Sequence, residues 1–80
     1  MAYKGTVVVY SITGCPHCKK AKHTLTEKQI PFTDINLELF PQCREDAVKY
    51  SGRRTVPQIF FNAIHIGGND DLQELVGRLD

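Results

Sequence analysis

The 80-residue chain predicts an α/β domain in which a four-stranded mixed sheet is flanked by three helices. Three features carry that expectation. A continuous apolar run, Thr6-Val7-Val8-Val9-Tyr10, reads as a buried strand and leads into Thr13-Gly14-Cys15-Pro16-His17-Cys18, a C-x-x-C that opens a helical stretch. Two short apolar runs, Pro57-Gln58-Ile59-Phe60-Phe61 and Ile64-His65-Ile66, flank Asn62-Ala63 and read as a hairpin. The chain closes on Leu72, Leu75, Val76 and Leu79, spaced i, i+3, i+4 and i+7 as on one face of a helix.

Taken in order, the unbroken valine run suits a central parallel strand covered on both faces. Residues 16–28 read as the first helix. Pro16 fits its opening position, where the missing N–H would have been an orphan donor anyway. Cys18, Ala21 and Leu25 fall at i, i+3 and i+7, which turns Cys18 to the core and leaves the lysines outside. Ile30-Pro31 ends the helix, because a residue before proline is pushed out of α geometry. Phe32-Thr33-Asp34-Ile35-Asn36-Leu37 alternates apolar and polar, a half-buried strand that completes a right-handed strand–helix–strand unit. Pro41 to Tyr50 reads as a second helix, with Ala47 and Val48 inward and Gly52 as its stop. After the hairpin, Gly67-Gly68 breaks the pattern, and the last helix runs from Asn69 or Asp70 to Leu79. A single domain over residues 1–80 is expected, without repeats or linkers.

Composition narrows the function classes. With 41% hydrophobic and 24% charged residues the chain is an ordinary globular one. A net charge of +1 is too near zero for nucleic acid or an anionic membrane to be the main partner. Neither a secretory signal nor a membrane-spanning run is read in the sequence. Three cysteines, two of them closely spaced, do not form a disulfide framework of the secreted kind, so a reducing, cytoplasmic setting is expected; a monomer is expected as well.

A C-x-x-C between a buried strand and a helix start is a redox signature. Its two thiols sit one helical turn apart, close enough to close into a disulfide. Cys15 lies at the helix N-terminus, where unpaired N–H groups and the dipole favour a thiolate and hence an attacking sulfur. Cys18, shielded on the core side, would resolve the mixed disulfide formed on Cys15. Lys19, Lys20, Lys22 and His23 follow the motif, either as a solvated helix face or as a means of steering an anionic thiol substrate toward Cys15.

Cys15-Pro16-His17-Cys18, Thr55-Val56-Pro57-Gln58-Ile59-Phe60 and His65-Ile66-Gly67-Gly68-Asn69-Asp70-Asp71-Leu72, in that order, resemble a glutaredoxin over nearly the whole chain. The resemblance implies the thioredoxin-like fold and a thiol–disulfide oxidoreductase that uses glutathione as reducing cosubstrate. Its partners would be glutathione and either protein disulfides or glutathionylated proteins. It implies both cysteine roles, and a deglutathionylation route that needs Cys15 alone. It also implies a cis Pro57, with Thr55, Val56 and Pro57 as the second wall of the site and the Val56 backbone free to pair with an extended substrate. Gly68, Asn69, Asp70 and Asp71 would hold the γ-glutamyl end, the carboxylate on free helix N–H groups and the ammonium on a side-chain carboxylate. Asp70 or Asn69 is expected to bind, and Asp71 to share binding with capping of the helix. Arg44 stands where the family often places a side chain for the glycyl carboxylate.

Departures from the family pattern are His17, where many members carry Tyr; Ile12, where many carry a glutathione-binding Lys; and Asn69, often Cys. Cys43 is additional and is expected to pack at the start of the second helix. A reading of another class makes the chain a zinc or iron–sulfur binding module on Cys15, Cys18, Cys43 and His65, although no second C-x-x-C or H-x-x-x-H accompanies them. A further reading keeps the chemistry and changes the reductant, to a flavoenzyme serving a thioredoxin-like redoxin; the Gly-Gly-Asn-Asp-Asp segment argues against it.

Overall fold

The computed structural model describes residues 5–79, the side chain of Leu79 excepted. The elements, in chain order, are strand β1 (Val7–Ser11), helix α1 (Pro16–Glu27), β2 (Thr33–Asn36), a 3-10 turn (Pro41–Cys43) running into α2 (Arg44–Ser51), β3 (Gln58–Phe61), β4 (Ile64–Gly67) and α3 (Asn69–Leu79). The strands form one mixed sheet in the order β2-β1-β3-β4. β1 pairs parallel with β2, from Val8 opposite Thr33 to Ser11 opposite Asn36, and antiparallel with β3, from Val7 opposite Phe61 to Tyr10 opposite Gln58. This is the thioredoxin-like arrangement expected from the sequence.

Pleating assigns the residues to two faces. Val7, Val9, Ile59 and Phe61 point to one side, where Ala21, Leu25, Leu72 and Val76 of α1 and α3 close the core. Leu25, Ile59 and Leu72 are fully buried, and removing a side chain of that kind typically costs about 2–5 kcal/mol. The opposite face is less well covered than the valine run led us to expect. Val8 and Tyr10 are half-buried, and a shallow apolar depression of about 280 Å³ remains between Val8, Tyr10, Phe60 and Tyr50. Helix α2 is only eight residues long and cannot span that face.

Two boundaries differ from the sequence reading for local reasons. The second strand stops at Asn36, not Leu37, because the Asn36 Oδ1 accepts from the N–H groups of Glu38 (2.8 Å) and Leu39 (3.3 Å) and turns the chain. The second helix starts as a 3-10 turn at Pro41 and becomes α-helical only at Arg44, since no side chain caps either start. Gly52, at φ +73°, ends it as anticipated.

Helix α1 ends in a Schellman-type arrangement: the Gln29 N–H donates to the Thr26 carbonyl (3.1 Å) and the Ile30 N–H to the Leu25 carbonyl (2.9 Å). The residue in the left-handed position is Gln29, at φ +59°. A Cβ there is strained by about 1–2 kcal/mol, partly offset by the unfolded-state entropy that glycine would add. The Gln29→Gly variant is therefore expected to be more stable by about 0.5–1 kcal/mol, read as a higher midpoint in urea unfolding; an unchanged or lower midpoint would contradict this account of the cap.

Candidate active site

Strand β1 delivers the chain through Thr13-Gly14 to the start of α1. Two side chains, one at the end of β2 and one just beyond it, hold that link. Glu38 Oε1 accepts the Thr13 N–H at 2.7 Å, and Asn36 Nδ2 donates to Thr13 Oγ1 at 3.0 Å. Cys15 is the N-cap of α1, in extended conformation, with Pro16 at the first helical position. Its Sγ accepts the Cys18 N–H at 3.2 Å, the hydrogen bond an N-cap side chain makes to the first turn.

The two sulfurs differ in access. Cys15 is partly exposed and Cys18 is 1% exposed. Burial pushes the Cys18 thiol up to about 12; its hydrogen bond with Cys15 adds to the rise, while the Ile12 backbone and the Lys22 charge pull it down. Cys18 is therefore the protonated, protected member of the pair at neutral pH. The periodicity of α1 had placed it inward, and it is. Cys15 borders a depression of about 450 Å³ whose other walls include Thr13, Cys18, Lys19, Lys22 and Asn36.

A second depression, about 240 Å³, lies on the His17 side. Here the sequence-predicted residues Thr55, Val56, Pro57, Gly68, Asn69, Asp70 and Asp71 come together, joined by His17, Arg53 and Gln58. The Val56–Pro57 bond is cis. Behind it, the Gln58 amide, 1% exposed, donates to the Thr55 carbonyl (3.0 Å) and hydroxyl (3.1 Å), while its Oε1 meets His65 Nε2 at 2.7 Å. Burial lowers the His65 pKa, Arg53 lowers it further and Asp71 opposes them. A neutral imidazole donating Nε2–H to Gln58 fits these partners.

At the start of α3 the three polar residues divide their tasks. Asp71 Oδ2 accepts the Gly68 N–H at 3.0 Å, reaching back over the first turn, with Arg53 Nη1 at 3.8 Å. Asn69 is buried; its Oδ1 accepts from Gln73 Nε2 (3.0 Å), which also donates to Thr24 Oγ1 on α1 (2.8 Å). Asp70 is exposed. Asp71 thus caps the helix, the Asn69 side chain faces inward, and the exposed Asp70 borders the groove. Arg44, at the first residue of α2, is exposed and borders neither depression. Arg53 is the arginine at the groove. Sequence reasoning passed over Arg53, Gln58 and the Asn36–Glu38 tether. Gln58 follows the Thr55-Val56-Pro57 turn directly and Arg53 stands two residues before it, a signal that was present; the tether depends on contacts 23 and 25 residues away.

An accessible sulfur capping a helix, a buried partner one turn on, and a peptide-lined groove beside them define a thiol–disulfide oxidoreductase on a thioredoxin-like sheet. Comparison with known proteins agrees. A family model described as Glutaredoxin matches residues 7–66. The chain belongs to the glutaredoxin family. It is 44% identical over 72 residues to glutaredoxin 3 of Escherichia coli K12, covering 90% of this chain and 87% of that one. It is 42% identical over 79 residues to glutaredoxin 1 of Rickettsia typhi, covering 94% and 76%. Among solved structures, a buckwheat glutaredoxin–glutathione complex superposes with a TM-score of 0.81 at 28% identity, over 90% of this chain and 68% of that one.

Among the described residues no three His, Cys, Asp or Glu side chains group as metal ligands. No described helix is long and apolar enough to cross a membrane.

Proposed function

We propose that the protein uses glutathione to reduce protein disulfides and protein–glutathione mixed disulfides in the cytoplasm, acting through Cys15 and Cys18. The Cys15 thiolate attacks one sulfur of the substrate disulfide; that S–S bond breaks, the other sulfur leaves as a thiolate and takes a proton from water. The mixed disulfide on Cys15 is then discharged by glutathione, or by Cys18, which closes the Cys15–Cys18 bond for two glutathione molecules to reopen. The observation that carries this reading is the groove at the start of α3. The Asn69 and Asp70 N–H groups, lacking acceptors within the helix, suit the γ-glutamyl carboxylate. The Asp70 carboxylate suits its ammonium group, and the Val56 backbone suits the extended tripeptide. Arg53 supplies the positive charge that Arg44 had been expected to bring. The buckwheat relative, solved as a glutathione complex, supports the same ligand.

The test is a coupled assay with a glutathionylated peptide, glutathione, glutathione reductase and NADPH. Asp70→Ala is expected to raise KM for the glutathionylated peptide about tenfold with kcat nearly unchanged. A charge-assisted hydrogen bond is worth roughly 1.5–3 kcal/mol, and the exposure of Asp70 argues for the low end of that range. Unchanged KM would remove Asp70 from the site. Turnover without glutathione, driven by a flavoenzyme thioredoxin reductase, would instead favour a thioredoxin-like redoxin.

A further inference from the structure

Between β2 and α1 lies a charged cluster that the reaction as described does not use. Lys22 Nζ sits 2.9 Å from Asp34 Oδ2, with side-chain exposures of 31% and 32%. The other Asp34 oxygen, Oδ1, accepts the hydroxyl of Ser11 at 2.6 Å, and Ser11 is 0% exposed. Both carboxylate oxygens are thus occupied, one by a hydroxyl anchored at the end of the central strand. The ammonium on the second oxygen is correspondingly fixed. Lys22 differs in this from Lys19 and Lys20, which are exposed. It lies one turn beyond Cys18, where a helical side chain leans back over the preceding turn, and it borders the depression that holds Cys15 and Cys18.

We propose that Lys22, anchored by Asp34 and Ser11, is a positioning residue for the resolving step, its ammonium stabilising the Cys18 thiolate as that sulfur attacks Cys15. The inference rests on the assignment of Cys15 as nucleophile and Cys18 as resolver. In the step concerned, Cys18 gives its proton to water and its sulfur bonds to the Cys15 sulfur. The bond from Cys15 to the glutathione sulfur breaks, and the departing thiolate is protonated. No outside oxidant or reductant is consumed. The need for such a charge follows from burial, which holds Cys18 as a thiol. Of the charged groups facing Cys18, Cys15 opposes ionisation and Lys22 favours it. Lys19 lies on the rim of the same depression, and Asp34 faces Lys22. In the mixed disulfide Cys15 carries no charge, so its opposition to ionisation of Cys18 is gone at the moment the Lys22 charge is needed.

The experiment isolates the unimolecular step. The reduced enzyme is mixed rapidly with glutathione disulfide, quenched with acid, and the decay of the glutathionylated form to the internal disulfide followed by mass spectrometry across a range of pH. The Lys22 charge is the smallest of the influences on Cys18 and is paired with Asp34, so its loss is expected to cut the thiolate fraction about threefold. The Brønsted gain in nucleophilicity returns part of this, so Lys22→Gln should resolve roughly twofold more slowly at neutral pH, with its pH profile displaced upward. Lys22→Arg should resolve at close to the parent rate. A parent-like rate and profile in Lys22→Gln, or Lys22→Arg as slow as Lys22→Gln, would overturn the inference. A mixed disulfide that still forms on Cys15→Ser would instead overturn the assignment beneath it.

Discussion

Replacing Cys15 with serine is expected to reduce glutathione-coupled turnover to the uncatalysed background, whereas Cys18→Ser should retain a substantial part of it. The asymmetry follows from access. Cys15 is partly exposed at the end of α1, and Cys18 is sealed beneath the first turn. With Cys15 gone, the remaining thiol of the pair is still buried, and burial alone raises its pKa, so it meets neither of the requirements for an attacking sulfur, exposure and ionisation. A serine hydroxyl in its place can still accept the Cys18 N–H and keep the helix capped, so the loss would report chemistry and not unfolding. With Cys18 gone, free glutathione can discharge the mixed disulfide on Cys15 from solvent. Initial rates of NADPH oxidation for the parent and both variants decide the matter. Equal loss from the two substitutions would point to an obligate dithiol route, and full activity without Cys15 would show that the nucleophile lies elsewhere.

A large effect on stability is also expected at Gly67. This residue ends β4 at φ +127°, and a Cβ built on it would overlap the Asp71 carboxylate. Gly67→Ala therefore carries two costs. The backbone conformation disfavours a side chain by about 1–2 kcal/mol. Asp71 must also swing off the Gly68 N–H, forfeiting a helix-capping bond worth about 1 kcal/mol. A total of about 2–3 kcal/mol corresponds to a fall of roughly 10–20 °C in Tm for a domain of this size. Because the displaced carboxylate belongs to the groove, KM for a glutathionylated peptide should rise as well. Gly52→Ala is the informative comparison: its φ is +73°, but nothing lies within 4 Å of the added atom, so only the conformational cost applies and KM should not change. Similar melting losses in the two variants would mean that the Asp71 contact contributes nothing.

Local pattern carried the sequence reading a long way. The i, i+3, i+7 spacing of Cys18, Ala21 and Leu25 placed one thiol inside, and all three are buried. Asn62 marked the hairpin turn, since asparagine tolerates φ above zero; Ala63, at φ +67°, has no such preference and gave no signal. The coverage of the valine run was misjudged because it depends on the length of α2, a property of a distant element. The same limit applies to the site. Residues contiguous with a recognisable motif, such as Thr55-Val56-Pro57 or Gly68 to Asp71, were legible. Arg53 was not, although it stands only two residues before Thr55; an arginine beside a turn looks like any solvated one until Asp71 is seen across from it. The pairing of Lys22 with Asp34 and the tether from Glu38 to Thr13 join segments that periodicity treats separately.

The double donation by the Gln73 amide, to Thr24 on α1 and to Asn69 at the start of α3, has a mechanical consequence. It couples the helix bearing the two thiols to the helix that forms the floor of the groove, and Leu25 and Leu72 pack into the same core. The two halves of the site are thereby held as one unit. Recognition should then be of the preorganised kind, with the ordering entropy already spent during folding and little backbone displacement on docking.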